Sequence, residues 1–200
     1  MTKIFPYIFI LLFSSVVKSQ TLLILGDSLS AGYNMPIEQS WPTLLTDELN
    51  TLDKPTTVIN ASISGDTTGN GLARLPALLA EHKPTSVFIE LGANDGLRGF
   101  PPAKIMDNID QMITLIQEQD VQVILMQIHI LPNYGKRYTQ AFTDLYPELS
   151  EKHATPLLPF FMEQVITKPQ WMMQDGLHPT AQAQPWIAQY MAKELLPHLH

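Results

Sequence analysis

The 200-residue chain contains no cysteine. That absence excludes a disulfide framework, a thiolate zinc site, a cysteine nucleophile and a lipid anchor on cysteine. Charge is scarce as well: Asp, Glu, Lys and Arg make up 16% of the residues while hydrophobic types make up 45%. An average soluble domain carries about 25% charged residues, and disorder requires the opposite balance, so the chain reads as folded. Of the two signs the basic one is rarer, with 12 Lys and Arg against 19 Asp and Glu and a formal net charge of −7. Nucleic acids need a basic face, so none is expected as a partner. No apolar run approaches the roughly 20 residues that a membrane-spanning helix requires. What remains is a mildly acidic globular protein of a size that fits one domain with ample core, acting on small molecules.

The first residues read as a targeting segment. Lys3 supplies a positive start, Ile4 to Phe13 are apolar apart from Pro6 and Tyr7, and Ser14 to Ser19 are mostly small. Val17 and Ser19 suit the positions before a cleavage at Gln20, which makes residues 1–19 a signal peptide and residues 20–200 a single mature domain. An uncleaved N-terminal anchor is the alternative. Export to the periplasm or the medium follows from the first reading, and no stable membrane insertion is expected after removal.

Beyond that segment, short apolar runs alternate with helical patterns. Thr21–Leu25, Thr57–Asn60, Ser86–Leu91 and Val121–Met126 have the length and β-branched content of buried strands, and a fifth is expected over Thr155 to Phe160 despite its two prolines. Ile105, Ile109, Met112, Ile113 and Ile116 recur at helical spacing up to Asp120. Ala183, Trp186, Ile187, Tyr190, Met191 and Leu195 form a second stripe, with Pro185 expected in its first turn and Pro197 beyond its end. Strand–helix alternation predicts an α/β fold: a flavodoxin-like three-layer α/β/α arrangement around a five-stranded parallel sheet. In such sheets functional residues gather beyond the carboxyl ends of the strands.

Polar residues stand at each of those ends. Gly26-Asp-Ser28 follows the first strand, Gly65-Asp66 the second, Gly92-Ala-Asn94-Asp95 the third, and Asp175-Gly-Leu-His178-Pro lies near the C-terminus. Ser28 is a weak nucleophile unless a base takes its proton. Asp175 and His178, three residues apart, suit a carboxylate that fixes an imidazole tautomer so that the second nitrogen serves as base. Gly65 and Asn94 suit an oxyanion hole, in which donors already face the charge that develops on a carbonyl oxygen. Taken singly, each has a plainer reading: a turn for Gly26-Asp-Ser, a cap and a surface histidine for Asp175 and His178, a turn glycine for Gly65, a cap for Asn94. The spacing of Gly26 and Gly32 hints at a phosphate loop, but the Lys-Ser/Thr ending is missing. Asp-x-x-His has no third ligand nearby, so no metal is expected, and no cofactor.

In order and separation the four blocks resemble those of the SGNH, or GDSL, hydrolase family, and the likeness runs from about Thr21 to Pro197. The resemblance implies that Ser28 is the nucleophile, His178 the base and Asp175 its orienting acid, with the Ser28 N–H, Gly65 and Asn94 as the oxyanion hole. The Gly-x-Ser-x-Gly elbow of other hydrolases is absent, as the family pattern requires. Gly96-Leu-Arg-Gly-Phe-Pro-Pro102 resembles a family segment that moves when an acyl chain binds, so Leu97, Phe100 and Pro101 are expected to line an acyl groove, and Ile130 is a further candidate for substrate binding. In the stretch Gln127 to Tyr134, Pro132 stands one place later than the family pattern, which bears on chain preference. The implied activity is hydrolysis of esters and thioesters with a single acyl chain, such as lysophospholipids, fatty acyl thioesters and aryl esters, by a protein expected to be monomeric. Weighed beside it are a carbohydrate acetylesterase on the same site and a non-catalytic flavodoxin-like binding module.

The remaining polar residues are assigned structural roles. Asp27 and Asp66 are expected to accept backbone N–H bonds in their loops, His82 and His153 to be solvated, and Trp41 and Trp171 to anchor packing. His198 and His200 belong to the tail. Met162, Met172 and Met173 are candidates for adapting to an acyl chain.

Overall fold

The computed structural model describes residues 20–199, so the expected signal segment lies outside the described residues. Strands Gln20–Gly26 (β1), Thr56–Asn60 (β2), Ser86–Glu90 (β3), Gln122–Met126 (β4) and Leu157–Leu158 (β5) form one parallel sheet in the order β2-β1-β3-β4-β5. Leu22, Leu23, Ile24 and Leu25 of β1 are all fully buried, because a parallel sheet wrapped by crossover helices is covered on both faces. Helices Trp41–Thr51 (α1) and Gln184–Leu195 (α7) pack on each other, while Thr68–His82 (α2), Pro102–Gln117 (α4) and Lys136–His153 (α5) form a second packed layer. Two short helices, Ala93–Leu97 (α3) and Met162–Val165 (α6), stand in the loops after β3 and β5. The expected α/β arrangement is therefore present, with the flavodoxin-like strand order.

Boundaries differ from the sequence pattern where a backbone constraint intervenes. The fifth strand is two residues long rather than six. Pro156 and Pro159 have no N–H to donate, and the ladder runs only from the Leu125 N–H on the Pro156 carbonyl (2.8 Å) to the Gln127 N–H on the Leu158 carbonyl (2.9 Å). Strand β3 stops at Glu90, one residue early, because Gly92 turns the chain at φ +122° and the Leu91 carbonyl accepts instead from the Tyr146 hydroxyl at 3.0 Å. The expected helix ends at Gln117, three residues short of Asp120, which turns the chain at φ +55°. Pro185 occupies the first turn of α7, where a missing N–H costs little.

The sheet order reverses between β1 and β3, whose chains leave toward opposite layers. A crevice opens at that point, and the loops that follow Gly26 and Glu90 form its walls. Trp41 anchors the first of these loops: it is fully buried, and its indole N–H donates to the Leu29 carbonyl at 3.1 Å.

Candidate active site

Ser28 lies two residues beyond β1. His178 Nε2 is 2.9 Å from its Oγ, and His178 Nδ1 is 2.7 Å from Asp175 Oδ2. These contacts join a loop at one end of the chain to a loop at the other. The second loop is built by its own aspartate: Asp175 Oδ1 accepts the N–H groups of Leu177 (2.9 Å) and His178 (3.0 Å), and Gly176 takes the required φ of +68°. Desolvation opposes ionisation of Asp175, but those two N–H groups and the imidazole outweigh it and hold the carboxyl down at about 2. The carboxylate is thus committed to the imidazole across the physiological range. Tyr33 stacks on the His178 ring at a centroid distance of 4.1 Å and 26° between planes, which restrains the ring from its other side.

Asn94 stands in the first turn of α3. One of its amide protons goes to Asp27 Oδ2 at 3.0 Å, and the side chain lies in the cavity wall beside Ser28. Gly65 adopts φ +84°, and neither its N–H nor that of Ser28 has an acceptor among the described residues. Two main-chain N–H groups and one amide proton are therefore without an acceptor among the described residues; Ser28 and Asn94 stand in the cavity wall, whereas Gly65 is not one of its lining residues.

Beneath them is a buried carboxyl pair. Asp27 Oδ1 accepts the Leu29 N–H at 3.0 Å, as expected for a loop-organising aspartate, and its other oxygen holds Asn94. Glu90, at the end of β3, accepts from the Ser30 hydroxyl at 2.7 Å. Both acids are fully buried. Desolvation pushes the Asp27 carboxyl up to about 7, and the same cause, with Asp27 as neighbour, raises that of Glu90 far above its ordinary value. Asp66 differs from its expected role: it accepts from the side chains of Arg74 (2.8 Å) and Asn70 (3.5 Å) rather than from backbone.

The crevice opens into a cavity of about 340 Å³ that contains Ser28, Asn94 and His178 in its wall. Its other walls come from the loops after β3, β4 and β5: Leu97, Ile130, Leu131, Phe160, Met162 and Ile166, with Met172 and Leu177 near His178. Of the residues expected to meet an acyl chain, Leu97, Ile130, Met162 and Met172 are in this wall. Phe100 and Pro101 do not. The chain turns at Gly99 (φ +69°), the Phe100 N–H returns to the Asp95 carbonyl at 3.0 Å, and both residues lead outward into α4. Met173 is likewise outside the wall. His153, expected to be solvated, is only 12% exposed and lies 2.6 Å from Asp110, pinning α5 to α4.

Tyr33, Leu131, Ile166, Leu177 and the pair His129–Glu163 (3.1 Å) also belong to the site and were not picked out from the sequence. Their one sequence signal is position: all lie in segments that leave the carboxyl ends of β1, β4 and β5.

A serine, an imidazole and a carboxylate in hydrogen-bonded series at the switch point of a 2-1-3-4-5 sheet define the SGNH class of hydrolases. Residues 24–184 match the GDSL-like lipase/acylhydrolase family, and the chain belongs to it. An arylesterase of Vibrio mimicus is 60% identical over 192 residues, 96% of either chain. Thioesterase 1/protease 1/lysophospholipase L1 of Escherichia coli K12 is 51% identical over 193 residues, 96% of this chain and 91% of that one. Among solved structures, the psychrotrophic esterase EstA from Pseudoalteromonas sp., inhibited by monoethylphosphonate, superposes with a TM-score of 0.87 at 43% identity, covering 90% of this chain and 98% of its own. The protein is an enzyme of the esterase and thioesterase type.

Proposed function

We propose that this protein is an exported serine hydrolase that cleaves carboxylic esters and thioesters of single acyl chains through an acyl-enzyme on Ser28. The observation that carries the reading is the continuity of the Asp175–His178–Ser28 series with an apolar cavity: nucleophile, base and acyl-binding space share one wall. Ser28 Oγ attacks the acyl carbon while its proton passes to His178 Nε2, and Asp175 stabilises the imidazolium. The oxyanion is received by the Ser28 and Gly65 N–H groups and the Asn94 amide, each such donor contributing about 3–4 kcal/mol. Collapse expels the alcohol or thiol, which takes the proton from His178. Water then attacks the acyl-serine under the same base, releasing the carboxylic acid and restoring Ser28.

The relatives named as arylesterase and as thioesterase and lysophospholipase support these substrate classes, and the phosphonate-inhibited esterase supports a reactive serine. Leu97 and Ile130 are the wall residues we assign to the acyl chain; Phe100 and Pro101 fall outside that assignment. Residues 1–19 act as the export signal in this reading, and cleavage before Gln20 leaves β1 whole. The mature enzyme is monomeric and works in the periplasm or outside the cell.

The test is hydrolysis of p-nitrophenyl esters from acetate to palmitate by the wild type and by Ser28→Ala, with fluorophosphonate labelling of both. Turnover with a maximum at medium or long chains and loss of turnover and label in Ser28→Ala are expected. A maximum at acetate points instead to a carbohydrate-type acetylesterase, and wild-type turnover in Ser28→Ala overturns the mechanism. N-terminal sequencing of the exported protein checks the cleavage point.

A further inference from the structure

The exposed apolar side chains of this molecule are unevenly distributed. Eight large hydrophobic residues are exposed among the described residues, and seven of them stand in segments that leave the carboxyl edge of the sheet. Ile37 lies between β1 and α1, Ile63 between β2 and α2, Leu97 and Phe100 between β3 and α4, Leu131 between β4 and α5, and Ile166 and Leu177 between β5 and α7. Only Leu52, after α1, is at the opposite edge. Four of the seven, Leu97, Leu131, Ile166 and Leu177, line the cavity. Single exposed apolar residues are ordinary, but a concentration at one pole around an open cavity is not.

Charge follows the same axis. Arg98, Lys136, Arg137 and Lys168 lie in these segments or at their borders. Of the acids there, Asp27, Asp66 and Asp95 are buried, while Glu38, Glu163 and Asp175 are exposed, the last two hydrogen-bonded or close to His129 and His178. At the opposite edge, Asp53, Glu81, Glu118 and Asp120 are exposed. A chain of net charge −7 thus carries four of its cations around the apolar pole, while most of its acids lie elsewhere. Lys168 adds an amphipathic element, with its ammonium 3.6 Å from the centre of the half-buried Trp171 ring.

We propose that this pole docks on the surface of an anionic phospholipid bilayer, so that the cavity mouth faces the lipid and receives single-chain lipid from it. The inference rests on the reading of the site as an acyl-lipid hydrolase and names the surface from which that site is supplied. Apolar side chains of loops enter the interfacial region, while Arg and Lys are drawn to anionic headgroups. A second copy of the chain fits less well, because a protein seated on this pole covers the mouth that the substrate must enter.

The experiment is flotation with vesicles, either of phosphatidylcholine mixed with phosphatidylglycerol or of phosphatidylcholine alone. It uses protein recovered from the exporting cell, so that all variants share the same N-terminus. The wild type is expected to float with the anionic vesicles and to be released by high salt, since the cationic fringe is screened. Ile37→Glu/Phe100→Glu and, independently, the exposed pair Lys136→Glu/Arg137→Glu are each expected to weaken association about tenfold. Leu52→Glu, at the other edge, leaves it unchanged. Hydrolysis of soluble p-nitrophenyl butyrate is measured alongside: intact turnover without flotation overturns the docking and leaves the hydrolase reading standing, whereas absent turnover overturns the reading itself. Equal loss of flotation in Leu52→Glu, or sedimentation as a dimer that Ile37→Glu/Phe100→Glu dissociates, also overturns the docking.

Discussion

At the scale of single residues, the site depends on how a few polar atoms are held. Asp27 is the clearest case. Its carboxyl takes one proton of the Asn94 amide and thereby directs the other, so removing it leaves the proposed oxyanion donor free to rotate. Asp27→Ala is expected to lower kcat about ten- to a hundredfold with little change in KM, part of the roughly 3–4 kcal/mol that one oxyanion donor supplies. Steady-state kinetics on p-nitrophenyl butyrate checks this. The same carboxyl makes stability depend on pH. Its folded value of about 7 lies above the ordinary 3.8, so between those values the folded state holds a proton that the unfolded chain has released. Its contribution to stability is therefore greatest below about pH 4 and falls as the pH rises toward 7. Asp175 has the opposite sign: with a folded value of about 2, its contribution is present above 3.8 and is lost as the pH falls through 2. Urea midpoints measured from pH 5 to 7 are expected to decline with rising pH, and Asp27→Asn is expected to flatten that slope.

At the scale of elements, the segment between β3 and α4 carries Asn94 and a cavity wall within a few residues. It is held from outside by two phenols: the Tyr134 hydroxyl donates to the Leu97 carbonyl at 2.8 Å and that of Tyr138 to the Phe100 carbonyl at 2.7 Å. Each such bond has a net worth of about 1 kcal/mol. Tyr134→Phe/Tyr138→Phe is expected to release the loop and raise KM for octanoate esters severalfold, with acetate esters little affected; the ratio of the two KM changes is the measurement. On the inner side, Gly96 packs so closely that an added Cβ would collide with Ile130 and Phe142. Gly96→Ala is expected to cost about 1–3 kcal/mol in urea unfolding, the usual penalty of overpacking, and to displace Ile130 into the cavity.

At the scale of the whole molecule, stability comes from a sheet covered on both faces. Phe88, in the middle of β3, is fully buried and meets Trp41 edge-on at a centroid distance of 6.3 Å. Phe88→Ala is expected to lose about 3–5 kcal/mol by denaturant titration. Because Trp41 also holds the Leu29 carbonyl, activity in that variant is expected to fall before unfolding is complete. The pole that carries the cavity is made of loops, and seven of the eight exposed large apolar residues among the described residues stand there.

Much of this architecture was legible in the chain. Apolar runs of strand length separated by helical stripes determined the layered α/β fold, because parallel strands need covered faces and long crossovers. The ends of those runs pointed to Ser28, Gly65 and Asn94, because loops at the carboxyl edge are where a parallel sheet exposes polar groups, while Asp175 and His178 were marked by their own spacing near the C-terminus. Local pattern has no access to contacts between distant segments. The 2.9 Å approach of His178 to Ser28 spans 150 residues of sequence, and the Asp27–Asn94 bond spans 67. Likewise, whether an apolar loop residue faces a cavity is set by a turn such as that at Gly99, which directs Phe100 away from the wall while Leu97 remains in it. Composition and periodicity determined which elements form and in what order, since those depend on short-range backbone and burial preferences. Only the tertiary structure decided which loops meet, which acids are buried and which pole is left apolar, since these depend on the packing of segments that the chain itself holds far apart.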